Sequence, residues 1–98
     1  MSDLLKWDKN EADIAAQGCD RLASVIDEVY RDLCNYRNQL EASCAGQTIE
    51  MFCQYVEGPA KTNVAQLSNM CQETASALRH TTAQFEQADY QLKGTFNV

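Results

Sequence analysis

Apolar side chains recur along this chain at alternating intervals of four and three residues, the pattern of a helix packed lengthwise against another. In the first half the series is Ala15, Cys19, Leu22, Ile26, Val29, Leu33, Tyr36 and Leu40. Ala16, Ala23 and Tyr30 widen it on one flank, while Arg21, Asp27, Glu28, Arg31, Asp32 and Arg37 mark solvated surfaces. No proline interrupts residues 8–43. The pattern predicts a first helix over about 9–43, a rod in which every thirty residues or so rise about 45 Å. Asp8 with Glu11, or Asn10 with Asp13, offers a capping-box-like start. Trp7, just outside, is placed to fold back on the first turn as a hydrophobic staple.

The periodicity stops in the middle of the chain, at Glu41-Ala-Ser-Cys-Ala-Gly-Gln-Thr-Ile49. Gly46 can take the left-handed backbone that ends a helix, and Thr48 can accept the orphan amide hydrogens that open the next. A turn over 44–48, centred on Cys44, Ala45 and Gly46, follows. Beyond it Ile49, Cys53, Val56 and Ala60 keep the spacing, and Val64, Leu67, Cys71, Thr74, Leu78, Thr81, Phe85, Ala88 and Leu92 resume it one residue out of phase. The slip falls at Gly58-Pro59, where a missing amide donor predicts a bend or an extra residue in the winding. A break with Pro59 restarting the helix in its first turn is the alternative. The second helix is expected over about 49–92, fraying near Gly94.

Facing the two seams antiparallel sets Cys19 against Cys71, Leu22 against Leu67, Ile26 against Val64 and Leu33 against Val56, with Val29 facing Ala60. This register centres the crossover on Cys44 and Ala45, where the turn signals independently lie. The fold class is therefore all-α: one domain over 1–98, an antiparallel two-helix hairpin. A lone hairpin buries only the inner stripe of each rod, so a second hairpin is expected to complete a four-helix bundle with crossing angles of about 20°.

Charge narrows the choice of partner. Fourteen acidic side chains against eight basic ones give a net charge of −6, which repels phosphate backbones and anionic lipid, so nucleic acid is excluded as a partner. No apolar run is long enough for membrane insertion. The first residues lack the basic and apolar regions of a Sec signal, so a cytoplasmic protein, or one exported by other machinery, is expected. Five cysteines at no CxxC spacing read as packed thiols rather than metal ligands, with Cys19 and Cys71 the two that the register would bring level and a disulfide clip between them the alternative. One histidine, His80, no glycine-rich phosphate loop and no nucleophile with a base leave no basis for catalysis, a cofactor or a metal.

With about a hundred residues, two antiparallel helices and a small-residue turn at the midpoint, the chain resembles the WXG100 (ESAT-6-like) family of type VII secretion proteins. The family's Trp-x-Gly aligns with Cys44-Ala45-Gly46, which keeps the glycine and lacks the tryptophan. Its Tyr-x-x-x-Asp/Glu export motif aligns with Phe85-Glu-Gln-Ala-Asp89, which keeps the ring and the acid. The chain looks more like the WXG-lacking helical proteins that accompany LXG-domain effectors. That resemblance implies a non-enzymatic export partner or targeting factor that binds the helical N-terminal domain of a larger effector and presents Phe85 and Asp89 to the secretion machinery. A small exported homodimer, and a helical adaptor or chaperone unrelated to secretion, are the alternatives. Phe85 falls opposite Leu5 in the predicted register, so the motif is expected either to overhang the hairpin or to pack on Leu4, Leu5 or Trp7.

Overall fold

The computed structural model describes residues 6–96, with side chains through Gln91. Helix α1 spans Lys9–Ser43, α2 spans Gln47–Tyr55 and α3 spans Lys61–Phe96, with a π-helical turn at Val56–Ala60 between the last two. Tyr55, Val56 and Lys61 all keep right-handed helical dihedrals, so α2 and α3 form one rod through Pro59. Links from Trp7 to Thr82, Tyr30 to Val56 and Glu41 to Cys53 show that this rod runs antiparallel to α1. The described residues hold no strand. An all-α hairpin is the architecture that the apolar spacing predicts.

Local chemistry sets the ends of each rod. Asp8 caps α1 from an extended backbone (φ −94°, ψ 106°), its Oδ1 accepting the Glu11 amide at 3.0 Å. At the other end Cys44 turns extended (φ −136°, ψ 155°) while its amide donates to the Leu40 carbonyl at 2.8 Å. Gly46 then lies at φ 135°, ψ 175°, a region that side-chain-bearing residues essentially do not occupy. Its carbonyl accepts the Glu50 amide at 3.1 Å, so α2 begins at Gln47, two residues before the expected start, with Gly46 in the capping position assigned to Thr48. A Cβ at Gly46 would meet open space, so the dihedral alone demands glycine. The helix expected to fray near Gly94 continues to Phe96.

Pro59 neither breaks the rod nor restarts it. In a regular α-helix its nitrogen would face the Tyr55 carbonyl with no hydrogen to give and a ring in the way. The wider π-turn absorbs that defect with one extra residue. The interface positions Val56, Ala60, Val64 and Ser68 accordingly follow one another at three successive intervals of four. Helix α1 partners the loosened turn directly: the Tyr30 hydroxyl donates to the Val56 carbonyl at 3.0 Å.

The interface itself is rotated by one residue from the predicted seam. On α1 the covered positions that repeat along the seam are Ala12, Ala16, Cys19, Ala23, Ile26, Tyr30, Leu33, Arg37 and Leu40. On the second rod they continue through Cys71, Ala75, Leu78, Thr82 and Phe85. Cys19, Ile26, Leu33, Val64 and Cys71 keep their expected places. Leu22, Val29 and Leu67 do not: they are 50%, 59% and 49% exposed. The positions nearest the partner rod go instead to alanine, serine and cysteine, with Ala16 and Ala75 essentially inaccessible. Small side chains let the helix axes approach, and larger ones are then displaced to the rim. Leu92, the last predicted seam residue, and Leu4 and Leu5 lie outside the described side chains.

Two stability predictions follow from this geometry, both read by chemical denaturation of the purified chain. Gly46→Ala forces a side chain into a glycine-only dihedral and is expected to lower stability by about 1–3 kcal/mol; an unchanged midpoint would contradict the strained turn. Ala16→Leu overfills the seam and is expected to lower stability by about 1–3 kcal/mol, whereas Leu22→Ser at the rim should change it by only about 0.5 kcal/mol. The reverse ranking would restore the seam that the sequence suggests.

Candidate docking face and the aromatic–acid end

The residues directly before the α1 interface positions form one edge of the hairpin: Glu11, Ala15, Gly18, Leu22, Val25, Val29, Asp32, Tyr36 and Gln39, apolar from Ala15 to Val29. On α3 the same rule gives Asn63, Leu67, Met70, Thr74, Ala77, Thr81 and Gln84, with Leu67 and Met70 its large apolar members. Residues directly after interface positions are mostly polar, among them Asp20, Ser24, Asp27 and Arg31 on α1, and Gln72, Ser76 and Arg79 on α3. Asp20 and Arg79 identify how these edges meet. Both follow an interface residue, and they bond to each other across the hairpin at 2.6 Å. The following edges of the two helices therefore share one side, and the preceding edges share the other. One broad side is polar and the opposite side is apolar along its middle, from Ala15 to Val29 on α1 and from Leu67 to Met70 on α3, with Val29, Tyr36 and Met70 about 60% exposed.

The predicted motif residues sit at the open end of the hairpin, and neither is bare. Trp7 lies flat against Phe85, ring centroids 5.7 Å apart and planes 9° from parallel. Its indole nitrogen donates to the Thr82 hydroxyl at 3.0 Å, one turn before Phe85, which fixes the indole's orientation. Lys9 reaches Asp89 at 2.7 Å in a half-exposed ion pair. Trp7 thus bridges from the start of α1 to α3. Of the packing partners expected for Phe85, Trp7 is the one found, and Leu4 and Leu5 lie outside the described residues.

At the closed end Cys44, Ala45 and Gly46 line an open hollow of about 400 Å³ with Glu41, Glu50 and Glu57. Arg37 reaches across from α1, pairing with Glu57 and lying 3.6 Å from Glu41. Its stem fills an interface position while its guanidinium stays at the rim, so the solvated surface expected for Arg37 is only half correct. Partial burial, then a 3.3 Å hydrogen bond to Glu41, raises the Cys53 thiol above the usual thiol range. The Tyr30 hydroxyl is also raised, first by its contact with Cys34 and then by burial. The Asp20 hydrogen bond keeps Arg79 more firmly protonated than an isolated guanidinium.

All five cysteines are free thiols, with Cys71 buried, Cys19 half-buried and Cys44 exposed. His80 is exposed on α3. No group of three or more histidine, cysteine or acidic side chains among the described residues is arranged to hold a metal. No helix among them is long and apolar enough to cross a membrane. Comparison with family models, curated proteins and solved structures found no match.

The raised Cys53 thiol has a pH signature. At a fixed mildly alkaline pH less of it is thiolate, so it should alkylate several-fold more slowly than exposed Cys44. Its rate should keep rising at pH values where an ordinary thiol has levelled off. Glu41→Gln removes the charge that disfavours the thiolate and should speed Cys53 at constant pH. Site-resolved mass spectrometry after timed iodoacetamide treatment measures both, and a slower Cys53 in Glu41→Gln would contradict the assignment.

Proposed function

We propose that this chain is a non-enzymatic binding protein of type VII secretion, an export partner or targeting factor for a larger helical effector of the LXG type. The observation that carries this reading is the apolar edge formed by Leu22, Val25, Val29, Leu67 and Met70 on one side of a hairpin whose own seam is built of small residues. Such a face is matched by a second amphipathic hairpin, which buries it and leaves the polar side in water. The midpoint turn at Cys44-Ala45-Gly46 and the Phe85 and Asp89 pair near the end of α3 support the placement in secretion, through the resemblance described above. In this reading Phe85 anchors in an apolar notch of the machinery, and Asp89, one turn on, accepts charge-assisted hydrogen bonds.

Co-expression with the helical N-terminal domain of an LXG effector tests the proposal. The two chains are expected to co-purify as a one-to-one complex, and Val29→Asp with Leu67→Asp should weaken capture at least tenfold while leaving helicity unchanged. Phe85→Ala or Asp89→Ala should leave the complex intact and abolish its appearance in the culture medium. A stable homodimer indifferent to that domain would instead favour the small-substrate alternative. Export unaffected by both motif variants would remove the secretion reading.

A further inference from the structure

The start of α1 touches the aromatic–acid end in a way that does not resemble ordinary core packing. Trp7 covers one face of the Phe85 ring, and its indole N–H is held by Thr82. Two residues later, Lys9 neutralises Asp89. Two neighbouring side chains thereby occupy the two properties a docking partner would use there, an uncovered ring face and a free carboxylate. Both contacts are made at the surface. Trp7 and Phe85 are half-buried, and the Lys9 and Asp89 side chains are 39% and 55% exposed. A stack, one hydrogen bond and a solvated ion pair are strong enough to favour a closed state and weak enough to open reversibly.

We propose that Trp7 and Lys9 form a clasp that covers Phe85 and neutralises Asp89, so that the pair is fully available to a partner when the clasp opens. This rests on the reading of Phe85 and Asp89 as a recognition motif. A masked site binds with an affinity reduced by the fraction of time it is open, so removing the clasp strengthens engagement by the closed-to-open ratio, about tenfold for a surface contact of this kind. The clasp belongs to this chain alone and needs no partner to close.

Covalent footprinting of the purified full chain tests the masking without reference to export. Hydroxyl-radical oxidation of Phe85 should rise several-fold in Trp7→Ala and stay near the wild-type level in Trp7→Phe, which keeps a ring over it. Carbodiimide-driven amidation of Asp89 should rise in Lys9→Gln. Unchanged rates in both variants would overturn the clasp. Export then tests its consequence: Trp7→Ala and Lys9→Gln should raise the secreted fraction in cells where Phe85→Ala abolishes it. Equal or lower secretion of the two clasp variants in those cells would overturn the masking role. If Phe85→Ala leaves export intact, the secretion reading fails, and the footprint alone decides whether the clasp exists.

Discussion

Two long helices can lie side by side only where the facing positions leave room for both backbones, and here alanine, serine and cysteine provide that room. Ala12, Ala16 and Ala23 on one rod, and Ala60, Ser68, Cys71 and Ala75 on the other, are the buried residues of the long seam. Val56, at the π-turn, is the largest fully buried side chain. A seam this narrow buries little apolar area per turn, so the hairpin has a light core for its length. The larger apolar side chains are consequently left at its rim. The apolar face of the molecule is a direct result of how closely its rods approach.

Register is set by a few polar contacts that the close approach makes possible. Lys9 with Asp89, Asp20 with Arg79 and Arg37 with Glu57 tie the rods at the open end, along their length and near the turn. Exposed pairs of this kind each contribute little, enough to choose among sliding registers but not enough to hold the rods together. The Tyr30 hydroxyl adds a less interchangeable tie, because the Val56 carbonyl it meets belongs to the π-turn that Pro59 imposes. A substitution at Pro59 would therefore alter both the winding of the second rod and its link to the first.

Much of the architecture is legible in the sequence: two rods, the turn at Cys44 to Gly46, and the one-residue slip at Pro59. The rotation of the seam is not. A heptad reading averages every apolar position into one stripe, and here that stripe spans the hairpin seam and the apolar edge beside it. Leu22, Val29 and Leu67 outweigh Ala16, Ala23 and Ser68 on any hydrophobicity scale, so the average is pulled toward the rim. Side-chain size was the available signal, since alanines recurring at 12, 16 and 23 mark close approach. At the motif end, Phe85 and Asp89 can be located by spacing. Trp7 is among the partners that the predicted register offers Phe85, whereas the Lys9 contact to Asp89 spans eighty residues and no local pattern encodes it.

Methyl-resolved NMR of the monomeric chain with a soluble paramagnetic agent tests the central claim most directly, because it reports which side chains face water at each level of the rods. Strong relaxation is expected for the Leu22, Val25, Val29, Leu67 and Met70 methyls, and protection for those of Ala16, Ala23, Val56 and Ala75. Protected leucines and valines beside strongly relaxed alanines would contradict it, and with it the apolar face on which the functional reading stands.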